Sequence, residues 1–249
     1  MKIIGIDCAT QPGKVGVAVA EYGPTGMVVE TVEVGIPGLG AHLADVVAGA
    51  PRTLIAMDAP LGWPHPLKNA LHTHEAGAYL EPSAHALFRR HTDRFIRREI
   101  GQQPLDVGAD RIARTARAAL QILQDLRDAL QGPVPLAWSP DFNGRVAVIE
   151  VYPAGSLRAH GARHRGYKRA EQVSERREIV RALSAEMELG DTGLILANAD
   201  ALDSVVCLWA ARDFLEGRAM APRQTVLARS EGWIWCAPLQ EERAPTPAV

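Results

Sequence analysis

Apolar residues run without alternation through Ile3-Ile4-Gly5-Ile6 and again through Leu54-Ile55-Ala56-Met57, and each run stops at an aspartate, Asp7 and Asp58. A strand with one wet face alternates apolar and polar positions, whereas a strand covered on both faces reads as continuous. Both segments are therefore expected to be interior strands of a sheet with helices on either side. Val146-Ala147-Val148-Ile149, closing at Glu150, has the same form. Between the first two runs, Gln11-Pro12-Gly13-Lys14 reads as a tight turn, and residues 15–20 and 27–34 read as a second and third strand. A break rich in Gly and Pro at 35–40 leads into a short helix over 41–50, so the order is β-β-β-α-β.

From position 60 to 144 the period becomes helical. Ile112, Ala116, Ala119, Leu120, Leu123, Leu126 and Leu130 recur at three- and four-residue steps, which predicts an amphipathic helix over 110–130 with its apolar face on the sheet. Its Arg111, Arg114 and Arg117 read as solvated or pairing. The whole segment is expected to be a helical insertion or lid. Within it, the basic stretch 89–98 suits either a groove-lining helix or one packed on the core. Beyond Glu150, Tyr152-Pro153 ends the strand and a basic loop carries Tyr167 and Lys168. Helices are expected over 174–188 and 199–216, the latter capped by Asn198. Gly232-Trp233-Ile234-Trp235 reads as a short aromatic strand, followed by a flexible Pro/Ala-rich tail over 237–249.

The chain has 249 residues, 47% of them hydrophobic, enough for one large domain or a domain with a sizeable insertion. Residues 1–236 are read as that single domain, with the insertion at about 60–144. A formal net charge of -2 argues against a protein that coats nucleic acid by bulk electrostatics, although a local basic groove would not show in the sum. Cys8, Cys207 and Cys236 are odd in number and lack CxxC spacing, which disfavours a disulfide framework or a zinc site. Cys8 beside Asp7 is read as structural, because an anion next door raises a thiol pKa. There is no secretory leader pattern and no apolar run near the roughly 20 residues a membrane span needs. A cytoplasmic setting with no membrane partner is the expectation.

The acids change the picture most. Burying an unpaired carboxylate costs several kcal/mol, roughly, so a two-sided strand that ends in one must offer it a cation, a donor or water. In open sheets covered on both faces, ligands gather at the carboxyl ends of the strands. Asp200 and Asp203 lie three apart on one face of the last helix, where capping and the helix dipole alone account for them. Capping says nothing about Asp7, Asp58 and Glu150. One Mg²⁺ or Mn²⁺ site accounts for all five as catalytic carboxylates, because such ions take hard oxygen ligands and combine them with substrate phosphate. Lys168 is placed to contact a scissile phosphate, with a solvated basic loop as the alternative.

Ile4-Gly5-Ile6-Asp7, Ala56-Met57-Asp58-Ala59-Pro60, Glu150-Val151-Tyr152-Pro153, Tyr167-Lys168 and Asp200-Ala201-Leu202-Asp203 together resemble an uncharacterised RNase-H-like nuclease family, domain of unknown function 429, related to the RuvC resolvase and YqgF type. The resemblance implies an α/β fold: a mixed five-stranded sheet of order 3-2-1-4-5, helices on both faces, and a helical insertion between strands 4 and 5. It implies Asp7, Asp58, Asp200 and Asp203 as metal ligands, and a nucleic-acid substrate. Position 58 carries Asp where the RuvC type carries Glu, and Glu150 lies outside the minimal resolvase set. Lys14, Tyr167 and Lys168 are the candidate substrate-binding residues. Two other classes stay open: an ATP-dependent phosphotransferase of the actin and sugar-kinase type, with 7–14 as a phosphate-cradling hairpin, and an idle RNase-H-like binding module. The oligomeric state is open, a homodimer included.

Overall fold

The computed structural model describes residues 1–108 and 110–240. One sheet organises them, with strands β1 (Lys2–Asp7), β2 (Gly16–Gly23), β3 (Gly26–Val34), β4 (Thr53–Asp58) and β5 (Val146–Glu150) in the order β3-β2-β1-β4-β5. β1 pairs antiparallel with β2 and parallel with β4, and β4 pairs parallel with β5. The continuous apolar runs have the cause inferred for them: each strand feeds two cores. Ile3, Leu54, Ala56, Ala147 and Ile149 join one core, while Ile4, Ile6, Ile55, Met57, Val146 and Val148 join the other. This is the strand order that the resemblance implied.

The second core is closed by α1 (Leu39–Ala48) and α5 (Asp110–Leu130), which pack on one another and contribute Leu43, Val47, Ala119, Leu123 and Leu126. The expected lid therefore divides. α5 is a permanent layer of the fold. The shorter α2 (His65–His72), α3 (Ala84–Phe88) and α4 (His91–Ile100) form the outlying part, and even α4 sends Phe95, Ile96 and Ile100 into the first core.

The first core is built around α9 (Ala199–Leu215), which lies across β1, β2 and β4 and is covered on its far side by α6 (Pro153–Ala159), α7 (Val173–Ser184) and α8 (Gly193–Ala197). Sheet below and helices above leave α9 no wet face, so it is apolar nearly all round. The helix expected over 174–188 stops at Ser184, because Glu188 pairs its backbone with Met27 and Val29 on the open edge of β3. The expected aromatic strand is a single bridge, Ile234 to Glu150. Its next amide goes to Glu150 (Trp235 N to O, 2.9 Å), but the Ile234 amide is taken by Thr92 Oγ1 at 2.9 Å, and Trp233 and Trp235 pack on Phe95 and Phe214. After α10 (Thr225–Glu231) and that bridge, Ala237 is still buried, and the remaining expected tail, 241–249, lies outside the described residues.

Candidate active site

Asp7 and Asp58 are paired residues at the carboxyl ends of parallel neighbours, so both leave the sheet on the same face. That face belongs to α9, and two glycines let α9 approach it. A Cβ on Gly5 would stand 2.0 Å from the Ser204 carbonyl, and one on Gly16 would stand 2.2 Å from that of Asp200. Any larger residue at either position holds the helix off the strands. The helix starts above the strand ends because Asn198 Oδ1 accepts from the amides of Asp200 (2.7 Å) and Ala201 (3.2 Å). Asp200 and Asp203 therefore face Asp7 and Asp58.

Asp203 is fully buried. Its Oδ1 accepts from the Tyr167 hydroxyl at 2.8 Å, and the Lys168 ammonium lies 2.6 Å from Oδ2. Oδ2 nonetheless has no hydrogen bond of acceptable angle, so the contact with Lys168 is an ion pair rather than an aligned bond. Burial raises Asp7 well above the ordinary carboxylate range, and the charges of Asp203 and Asp58 add to it. Asp58 is pushed up to about 7 by burial, with Asp203 and Glu150 adding to the rise, while Lys168 and a hydrogen bond with Asp7 pull it back. Asp200, less buried, is raised by burial and Asp203, and Lys168 and Lys14 oppose the rise. Lys168 is held above the usual lysine range, chiefly by Asp203.

Asp7, Asp58 and Lys168 line a cleft of about 250 Å³ together with Glu150, Arg90, Tyr152 and Leu105. A larger groove of about 1040 Å³ lies between the β1–β2 turn, α1 and α5, and holds none of the cluster's acids. We place the chemistry in the smaller cleft, because the perturbed carboxyls converge there.

Two candidates have other work. Glu150 is in register with Met57, one residue short of Asp58, so it leaves the sheet toward the opposite face. Its oxygens accept from Arg90 Nη2 (2.7 Å), Arg90 Nη1 (2.9 Å) and the Leu61 amide (3.0 Å). A carboxylate so committed is held as an anchor, although it lines the same cleft as Asp7 and Asp58. Arg90, hidden in the basic stretch 89–98, was not recognisable as its partner. Tyr167 is 1% exposed with its hydroxyl on Asp203, so it positions that acid instead of touching substrate. Lys14, just after the first strand, acts on Asp200 through its charge, in keeping with a place at the site's rim. Burial, with Asp7 and Asp58, pushes the Cys8 thiol up, in keeping with a structural cysteine.

Hard carboxylate oxygens, with the Oδ2 of Asp203 held by an ammonium but by no aligned donor, fit a divalent cation of the Mg²⁺ type. Among the described residues, no three His, Cys, Asp or Glu side chains stand in a ready ligand arrangement. The ammonium of Lys168 already neutralises part of the cluster.

No curated protein matches the chain. Among solved structures, T. thermophilus RuvC in complex with a Holliday junction substrate aligns with a TM-score of 0.38 and 13% identity, over 86% of this chain and 97% of that one. The model of the family described as Protein of unknown function (DUF429) matches residues 5–226, and the chain belongs to that family.

Proposed function

We propose that the protein is a metal-dependent nuclease that hydrolyses phosphodiester bonds of nucleic acid. The observation that carries this reading is the gathering of Asp7, Asp58, Asp200 and Asp203 around a single ammonium, with Asp7 and Asp58 lining a cleft and the buried Asp203 Oδ2 held by that ammonium without an aligned donor. Acids placed for stability are normally paired to completion, and these are not.

Asp7, Asp58, Asp200 and Asp203 would hold Mg²⁺ or Mn²⁺, which supplies an activated water and a counter-charge for the leaving oxygen. Asp203 is aimed by the hydrogen bond it accepts from the Tyr167 hydroxyl. Asp58, raised by burial to about 7, loses its proton as pH rises through neutrality, which opens it to ligation. Lys168 offers a point charge to a phosphate oxygen. Lys14 and the basic loop residue Arg165 extend positive charge along the rim. No protein nucleophile is required, in line with the raised thiol of Cys8. The phosphotransferase alternative has less support: such enzymes close two copies of the core on a nucleotide, and one five-stranded sheet is present among the described residues.

The test is cleavage of single-stranded, duplex, hybrid and branched nucleic acids with Mg²⁺ or Mn²⁺. Asp7→Asn and Asp203→Asn are each expected to lower the metal-dependent rate by roughly a hundredfold or more, since each removes charge from the transition-state clamp. Absence of metal-dependent cleavage on every substrate would sink the proposal.

A further inference from the structure

Lys168 is a cation the acid cluster already holds, and its surroundings leave it one movable part. The side chain as a whole is 62% exposed, while its ammonium reaches in to Asp203. The backbone beneath it is clamped by Arg176, which is buried and donates to four carbonyls: Leu196 at 2.6 Å, Tyr167 at 2.7 Å, Arg169 at 2.7 Å and Ala170 at 3.0 Å. Asp203 is fixed too, fully buried and tied to the Tyr167 hydroxyl. Only the lysine stem can swing without rearranging the fold.

We propose that Lys168 is an internal counterion that an incoming divalent cation displaces, and that the freed ammonium then takes a substrate phosphate. This rests on the reading of the acids as a metal site. Two cations within about 4 Å of one another repel strongly inside a protein, so the metal and the ammonium compete for Asp203 Oδ2. Once displaced, the ammonium has lost its anion and sits at the cleft with a solvated stem, the state in which a phosphate oxygen gains most from it. Metal and phosphate binding are then coupled through one side chain, and the coupling is reciprocal.

The experiment is calorimetric titration of Mn²⁺ alone into the full chain at pH 8.5, for wild type, Lys168→Met and Lys168→Arg, each checked for folding by circular dichroism. Lys168→Met is expected to bind Mn²⁺ roughly tenfold tighter or more, and Lys168→Arg to stay near wild type, because it keeps the competing charge. In a second arm, Ca²⁺ tightens the binding of a fluorescein-labelled oligonucleotide to wild type, and this tightening is lost in Lys168→Met. Equal or weaker Mn²⁺ binding by Lys168→Met overturns the counterion role while leaving the metal site standing. No Mn²⁺ binding by any folded variant removes the metal site and this role together.

Discussion

Two groups of buried acids lie near the carboxyl ends of β4 and β5, and they meet their cations in opposite ways. Around Arg90 every strong group is matched. The guanidinium donates to both oxygens of Glu150, to both oxygens of Asp93 (2.8 Å and 3.2 Å) and to the Glu231 carbonyl (3.3 Å). Glu231 in turn accepts the amides that open α2 and α4, from His65 at 2.7 Å and His91 at 2.6 Å. Around Lys168, an ammonium faces several acids, two of which are raised by burial, and Asp203 Oδ2 lacks an aligned donor. Saturation marks the first as an anchor that ties the helical insertion to the sheet. Incompleteness marks the second as a place with room for chemistry.

Removing the cation should break the two regions differently, and the largest effect belongs to the anchor. Arg90→Ala leaves Glu150 and Asp93 buried without a counter-charge, a loss of about 3–5 kcal/mol. For a chain of this size that lowers the melting midpoint by roughly 6–20 °C, read by thermal denaturation. A midpoint within about 2 °C of wild type would show that the anchor carries little of the stability.

A smaller effect tests how the open cluster is assembled. Gly5→Ala drives a Cβ against the Ser204 carbonyl and the Cys207 side chain, so α9 must shift from β1 at a cost of about 1–3 kcal/mol. Asp203 moves with the helix, so metal-dependent cleavage and Mn²⁺ affinity should both fall by more than the stability loss alone accounts for. Gly23→Ala, which meets nothing within 4 Å, is the control and should change stability by no more than about 0.5 kcal/mol. Equal behaviour of the two variants would mean that close approach at Gly5 does not set the site.

The same contrast explains what could be read from the chain. Asp7 and Asp58 were legible because each ends an apolar run, and the sheet order follows from the hairpin and the helical crossovers. Glu150 ends such a run as well, and misled. Its role turns on register, and no feature of Val146-Ala147-Val148-Ile149-Glu150 says that Glu150 lies beside Met57 rather than Asp58. A slip of one residue exchanges the faces of a sheet. Arg90 was hidden for a related reason: among neighbouring arginines, only packing shows which one is buried. Tyr167 reads as a polar loop residue until Arg176 is seen to pull its backbone inward. One signal was available and unused. Gly5 inside an otherwise bulky strand, and Gly16 opening the next, mark where another backbone comes close.

The smallest effect carries the opposite sign and separates the two regions most cleanly. Asp7 and Asp58 have folded-state pKa values raised from an ordinary 3.8, that of Asp58 to about 7. The folded chain therefore keeps protons that the unfolded chain releases. The stability this contributes is complete below about pH 4 and is lost as pH rises through about 7. Wild type should accordingly lose a few degrees of midpoint between pH 5 and pH 8. Asp7→Asn removes one of the repelling carboxyls, so it should flatten that slope and raise stability at pH 8 by about 1 kcal/mol or less, while lowering cleavage as above. Some slope should persist, because burial also raises Glu150 against the pull of Arg90. Mg²⁺ should restore the wild-type midpoint at pH 8 and do little at pH 5, where protons hold its ligands. A slope unchanged in Asp7→Asn would show that Asp7 takes up little of the proton and leave the pH response to Asp58, Asp200 and Glu150.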